Sequence, residues 1–216
     1  RADYLAEASQ RLARSLDMEQ TVDALLDVSV PMLGDRAWLV SVDLDGRVAC
    51  QRANPTPADD ASIALPPAVE SAVQQAVMQH RPQRWLAPGP ADGGLRAALA
   101  FPLNEGERPR RALVLMSRTD FDPTRTALAT EVASRAAIAL ENARLYSAVQ
   151  QADRRKNEFL AMLAHELRNP LAPIRNAVHI MQGASVEPAT LHWARDVISR
   201  QADHMSRLID DLLDVS

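Results

Sequence analysis

Glycine is scarce in this chain of 216 residues, and the few glycines present are not spaced for holding phosphate. There are seven, and after Gly106 only Gly183 remains. No segment therefore has the spacing GxGxxG or GxxxxGK, in which glycines let the backbone wrap around a phosphate group. The sequence contains no recognisable nucleotide-binding loop.

Cysteine, charge of one sign and long apolar runs are also lacking. Cys50 is the only cysteine, which excludes an internal disulfide framework and a cysteine-based zinc site and fits a reducing, cytoplasmic compartment. The 24 Lys and Arg against 28 Asp and Glu give a net charge of −4, which argues against electrostatic binding of nucleic acid or of an anionic membrane. No stretch reaches the roughly 18 consecutive apolar residues of a membrane-spanning helix.

The two ends of the chain suggest that it was cut from a longer protein. Position 1 is Arg1 rather than Met, and residues 208–216 are still in helical rhythm where the chain stops. We therefore expect further domains outside these residues.

The first 120 residues alternate between helix-like and strand-like segments. Apolar residues three and four apart predict one helix over residues 3–30. Asp45-Gly46 is a typical hairpin turn, and a second turn is expected around 104–106. Strands are predicted at 37–43, 47–51, 96–103 and 111–117, and a short helix at about 67–80. The prediction is an α+β domain with an antiparallel sheet flanked by helices.

Strand signals vanish from Pro123 onward, and helical rhythm runs from about Thr124 to Met181. A helix of that length would be roughly 80 Å long, too long to bury its apolar stripe within one small domain. Apolar or small residues lie at near-heptad spacing, interrupted by Asn142 and Lys156, at Ile138, Leu145, Val149, Ala152, Phe159 and Leu163. This seam predicts a dimeric coiled coil whose polar positions specify register. The alternative is a long surface helix within a monomer.

A second helix is predicted from Pro188 onward, with Leu191, Ile198, Met205 and Leu212 at heptad spacing. Helices at about 153–182 and 188–216, joined by a short loop, would form an αα-hairpin. Two hairpins from two chains would then form a four-helix bundle.

One histidine of the first hairpin helix is predicted to face solvent. At about 100° per residue, His165 falls roughly 150° from the middle of the apolar stripe that includes Leu163, Leu167 and Ile174. The other histidines of the hairpin, His179, His192 and His204, are interpreted as ordinary surface residues.

The neighbours of His165 set it apart from those histidines. Glu166 follows directly, and Asn169 lies one turn later on the same face. Pro170 and Pro173 each remove a backbone donor just beyond, and such breaches of local helix preference tend to lie at functional sites.

A zinc site and a nucleophile are the two chemical interpretations of this segment. The residues from His165 to Asn169 differ from HExxH in the second ligand, and amides are poor zinc ligands. If Glu166 accepts a hydrogen bond from the ring nitrogen that carries the proton, the other ring nitrogen keeps a free lone pair and becomes a nucleophile. The nucleophile is the interpretation we favour.

The segment Lys156-Asn-Glu-Phe-Leu-Ala-Met-Leu-Ala-His-Glu-Leu-Arg-Asn-Pro-Leu-Ala-Pro-Ile174 closely resembles the H-box of sensor histidine kinases. The resemblance implies that His165 is the phosphoacceptor, that Glu166 is its acid/base partner, and that Asn169 supports phosphotransfer or phosphatase action. Arg168 and Pro170 also match the motif. It further implies a homodimeric phosphoacceptor hairpin over about 153–216.

Residues 1–150 resemble a GAF sensory domain, on a helix, a strand pair with Asp45-Gly46, Phe101-Pro-Leu103, Phe121-Asp-Pro and the final helix at 136–146. Such domains bind a small molecule, haem or a bilin, or serve only as a dimerising scaffold, and these alternatives stay open here. Cys50 is followed by Gln51 rather than His, which disfavours a covalent bilin. His80 is interpreted as a residue at a helix end rather than a haem ligand, and Trp38 and Trp85 as core or pocket wall.

Together the two resemblances imply the sensor and transmitter part of a histidine kinase, with residues 124–158 as a signalling helix that overlaps both domains. ATP and magnesium would act through an ATP-binding domain beyond Ser216, and the phosphoryl group would pass to the receiver domain of a response regulator. No nucleic acid is expected as a partner. The rival hypothesis is a non-catalytic dimeric scaffold or a phosphorelay intermediate.

Overall fold

The computed structural model describes residues 2–55, 65–87, 94–103, 110–182 and 187–215. The chain divides into two compact units, Arg1–Val149 and Gln150–Ser216. The elements in chain order are α1 (Ala2–Leu12), α2 (Met18–Ser29), β1 (Arg36–Val42), β2 (Val48–Asn54), α3 (Pro67–Gln79), β3 (Gln83–Leu86), β4 (Ala97–Leu103), β5 (Arg110–Ser117), α4 (Pro123–Met181) and α5 (Pro188–Val215).

The first unit is built on a five-stranded sheet in the order β2-β1-β5-β4-β3, in which every neighbouring pair is antiparallel. The predicted hairpin is confirmed, with Gly46 at φ 82° between β1 and β2. Strand β3 was not predicted. It has only four residues, too few for a recognisable alternation, and it pairs with β4 at the edge of the sheet.

Both faces of the sheet are covered, which explains why β4 and β5 read as nearly continuous apolar runs. Helices α1, α2 and α4 pack on one face, where Leu39 and Phe101 are buried. Helix α3 packs on the other face, where Trp38 is buried and Trp85 is half-buried.

The prediction of a single helix over residues 3–30 is wrong, because the chain forms two helices there. Asp17 adopts an extended backbone and caps α2 by accepting the N–H of Gln20 at 2.9 Å. The Thr21 hydroxyl donates to the Asp17 carbonyl at 2.7 Å and strengthens this start. Apolar spacing is similar on both sides of the break, so periodicity alone does not reveal it.

Helix α4 comprises 59 residues and continues through Pro170 and Pro173, as the long helical rhythm predicted. From Leu145 to Met162 every residue is exposed in a single chain. The predicted turn at 104–106 and part of the predicted loop before α5, residues 183–186, lie outside the described residues.

Candidate functional site

His165 lies on α4 with its side chain 70% exposed, as its angular position predicted. The stripe residues Leu163 and Leu167 on either side of it are half-buried. The outward orientation therefore follows from the apolar spacing, which turns the neighbouring leucines inward and leaves the imidazole in solvent.

Two polar side chains approach the same ring nitrogen of His165. Glu166 Oε1 lies 3.8 Å from His165 Nδ1, and the Asn169 side-chain amide lies 3.4 Å from it. The carboxylate is beyond hydrogen-bond distance, so it acts on the imidazole through its charge. The sequence-predicted trio of His165, Glu166 and Asn169 is thus brought together around Nδ1.

The negative charge beside Nδ1 favours the tautomer in which Nδ1 carries the proton. The structure has Asn169 Nδ2 facing Nδ1, so in that tautomer the amide would rotate by 180° about its terminal bond and its oxygen would accept the Nδ1 proton. Nε2 then keeps an unshared electron pair. On the exposed face of α4, this nitrogen is placed to attack an electrophile brought by another domain.

The two prolines change the backbone beside the site without ending the helix. Pro170 and Pro173 have no N–H, so the carbonyls of Glu166 and Asn169 lose their usual partners four residues on. Pro170 is buried, whereas Arg168 is exposed on the His165 side of the helix.

The hairpin of α4 and α5 covers only part of its apolar surface. Ala177 packs with Ala194, Val197 and Ile198 between the two helices. Several large apolar residues of the hairpin stay exposed in a single chain, including Leu160, Leu171, Val178, Met181 and Leu191. One hairpin therefore leaves an apolar stripe uncovered, which is the surface that a bundle of two hairpins would bury.

The remaining histidines and the cysteine lie as the sequence predicted. His179, His192 and His204 are exposed. His80 ends α3 in the left-handed region at φ 51°, with its N–H donating to the Ala76 carbonyl. Cys50 is a free thiol, and burial raises its pKa. Within the described ranges no group of three His, Cys, Asp or Glu residues is arranged to hold a metal ion.

A polar cluster where β5 leads into α4 was not predicted from the sequence. Asp35 Oδ2 accepts the Ser117 hydroxyl at 3.0 Å and the Arg118 N–H at 2.8 Å. Arg125 Nη1 donates to Ser117 Oγ at 3.1 Å. The hydrogen bond from the Arg118 N–H, followed by that from the Ser117 hydroxyl, holds the pKa of Asp35 below its usual value. Asp35 and Ser117 are 82 positions apart, so no local spacing could have linked them.

Two families match this chain in succession. Residues 15–141 match the GAF domain, and residues 155–216 match the His Kinase A (phospho-acceptor) domain. No helix in the described part of the chain has the length and apolar character needed to cross a membrane.

The curated relatives are similar to this chain over short segments. The chain is 36% identical to Sensor histidine kinase GacS of Pseudomonas protegens over 66 residues, 31% of this chain and 7% of that protein. It is 41% identical to Sensory histidine kinase/phosphatase NtrB of Klebsiella oxytoca over 51 residues, 24% of this chain and 14% of that protein. The match thus spans only a small part of each relative.

Among solved structures, the GAF domain from a phosphoenolpyruvate-protein phosphotransferase of Coxiella burnetii is similar with a TM-score of 0.54. The identity is 16%, and the match covers 68% of this chain and 96% of that one. At this identity the likeness shows a shared fold.

Proposed function

Because the chain belongs to the GAF domain family and carries a His Kinase A phosphoacceptor domain, we propose that it is the sensor and transmitter portion of a two-component histidine kinase. The observation that carries the proposal is the exposed His165 with a carboxylate and an amide near Nδ1. The reaction needs ATP, so we propose a cytoplasmic location.

In the proposed reaction, His165 Nε2 attacks the γ-phosphorus of magnesium-bound ATP, which a separate ATP-binding domain presents in line. The bond from phosphorus to the bridging oxygen breaks, and ADP leaves with that electron pair. Nδ1 keeps its proton, and the Glu166 carboxylate stabilises the positive charge that develops on the ring. Asn169 holds the ring orientation through Nδ1.

The second step passes the phosphoryl group to a response regulator. An aspartate carboxylate of its receiver domain attacks phosphorus, the P–N bond breaks, and His165 regains its lone pair at Nε2. Because the side chain of His165 is largely exposed, both the ATP-binding domain and the receiver domain have access to it.

We propose that the working unit is a homodimer. In a single chain Ile138, Leu145 and Val149 of the predicted seam are exposed, and Asn142 between them is exposed as well. A second copy presents the same stripe at the same spacing, so pairing α4 with α4 would bury these residues in one register. Residues 124–158 would then act as the signalling helix.

The GAF domain is proposed to act without a haem or a covalent bilin. Cys50 lacks a neighbouring histidine, and His80 caps a helix with its backbone. An absorption spectrum of the purified chain is expected to lack a Soret or bilin band, and the appearance of either band would contradict this proposal.

Incubation with ATP plus a separately supplied histidine kinase ATP-binding domain tests the central proposal. We expect acid-labile phosphate on the wild-type chain, none on His165→Ala, and an unchanged level on His179→Ala, a matched exposed histidine of the same helix. The chain alone with ATP is expected to stay unmodified. Absence of phosphate on the wild-type chain in the complete mixture would instead favour a non-catalytic scaffold.

A further inference from the structure

Four side chains form a clamp where β5 leads into α4, and we define it as Asp35, Ser117, Thr119 and Arg125. The Ser117 hydroxyl is fully buried and donates to Asp35 while accepting from Arg125. Arg125 Nη1 also lies 3.5 Å from Thr119 Oγ1. The clamp therefore joins the segment before β1, the end of β5 and the first turn of α4.

The first turn of α4 is ordered around this clamp. Asp122 Oδ1 accepts the N–H of Arg125 at 2.7 Å, which fixes the start of the helix. The Arg125 guanidinium also lies over the ring of the buried Phe121, 5.0 Å from its centroid. Arg125 is thus held by directional contacts on several sides.

The rest of the contact between α4 and the sheet is apolar. The helix residues buried in that core are small or aliphatic, namely Leu128, Ala129, Val132, Ala133, Ala136 and Leu140. Apolar contacts are not directional, and alanines offer no large ridge to interlock with a neighbour. This face holds α4 against the sheet through non-directional contacts, and Arg135 Nη1 adds a hydrogen bond to the Leu5 carbonyl of α1 at 2.9 Å. The hydrogen bonds to Ser117 join α4 to the sheet itself, and their geometry depends on both the position and the rotation of the helix.

Rotation of α4 matters because the same helix carries His165. Every residue from Leu145 to Met162 is exposed in a single chain, so within one chain no buried contact of this stretch would correct a displacement at the start of the helix. In the proposed homodimer, pairing of two copies of α4 would keep this stretch helical, so a rotation set at Arg125 in both chains would pass along the paired helices toward the phosphoacceptor.

We propose that Arg125 is a positioning residue that pins the register of α4 on the sheet through Ser117 and thereby sets the presentation of His165 to the ATP-binding domain. The inference rests on the proposed function for its consequence at His165. The pin itself is a property of the first unit, and it is testable without phosphorylation.

The first measurement is a distance across the sheet. Nitroxides at Met78→Cys on α3 and Ser134→Cys on α4, both exposed positions, are introduced in a Cys50→Ser background and diluted with unlabelled chain. With Arg125→Met or Ser117→Ala, the distance distribution is expected to shift or broaden by at least roughly 1.5 Å, the rise of one residue. Arg11→Met, which removes an ion pair to Glu7 within α1, serves as the control and should leave it unchanged.

The second measurement is the rate of His165 phosphorylation by a supplied ATP-binding domain. Because α4 is held less firmly in Arg125→Met, we expect phosphorylation of His165 to be at least about threefold slower in this variant, with an unchanged KM for ATP. Because the pin is the hydrogen bond that Arg125 and Ser117 share, the rate losses should not add: the double variant with Ser117→Ala should be slower than the slower single variant by less than the product of the two separate losses.

The outcomes separate the two proposals. An unchanged distance distribution in both clamp variants would overturn the pin, and a changed distribution with an unchanged rate would overturn its role in positioning His165. An equal rate loss in Arg11→Met would also count against it. If the wild-type chain takes no phosphate, the proposed function fails, while the distance measurement still decides the pin.

Discussion

The charge of Glu166 provides a quantitative test of the site geometry. Its Oε1 lies 3.8 Å from His165 Nδ1, and the two side chains are 48% and 70% exposed. Two unit charges at this separation interact by about 1 kcal/mol in water and by about 4 kcal/mol at an effective dielectric constant of about 20. High exposure places this pair near the lower figure.

In the proposed reaction, positive charge would develop on the imidazole as Nε2 bonds to phosphorus, and Glu166 would stabilise it. Loss of about 1 kcal/mol of transition-state stabilisation corresponds to a roughly fivefold slower step. We therefore expect Glu166→Gln, which keeps the shape and removes the charge, to slow His165 phosphorylation about five- to tenfold. Single-turnover mixing with ATP and a saturating ATP-binding domain would measure that step.

The salt dependence of the rate and a matched variant distinguish the loss of the Glu166 charge from other causes of slower phosphorylation. Raising the ionic strength to about 1 M shortens the Debye length to about 3 Å, so the difference between wild type and Glu166→Gln should shrink. Glu158→Gln removes the same charge about two helical turns away and should change the rate less than twofold. A loss of a hundredfold or more, or a loss indifferent to salt, would refute the electrostatic account and indicate direct proton transfer to Glu166.

Three further predictions concern other parts of the chain. Asp35→Asn should lower the free energy of unfolding by roughly 1–2 kcal/mol in urea at neutral pH. Folding lowers the pKa of Asp35, so its ionised carboxylate stabilises the folded chain at pH values above the unfolded-state pKa of about 3.9. This stabilisation is lost as the pH falls through the folded-state pKa. The difference in the free energy of unfolding between wild type and Asp35→Asn should therefore disappear in acid. Asn169→Ala should leave phosphorylation within about threefold while slowing loss of the phosphate about tenfold. Asn142→Leu and Lys156→Leu should tighten the dimer in sedimentation and bias phosphorylation, and unchanged behaviour of both variants would count against the coiled-coil seam.

The parts of the fold that were predicted from the sequence are those with a long or repeated local pattern. The continuous rhythm of α4 and the outward position of His165 follow from spacing over many turns, and both are confirmed. Strand β3 and the break at Asp17 were not predicted, because β3 has only four residues and the apolar spacing of three and four residues resumes after the break.

The polar contacts also divide into those that local spacing predicts and those that depend on the tertiary fold. Glu166 and Asn169 lie within one turn of His165, so a helix necessarily brings them near the ring, although spacing alone could not give the 3.8 Å separation. The clamp at Arg125 depends on strands that meet only in three dimensions. Its hydrogen bonds therefore became visible only with the sheet order.

The exposed stretch from Leu145 to Met162 makes the resistance of this chain to proteolysis depend on the concentration of the chain. A helix without tertiary packing has little stability in water, so in the proposed homodimer its order would depend on the second copy. Arg154, Arg155 and Lys156 lie in the middle of this stretch, and together they form a cleavage sequence for trypsin-like proteases. Dilute chains would be cut there and lose the connection between the sheet and His165, whereas paired chains would be protected, so turnover would remove unpaired chains first.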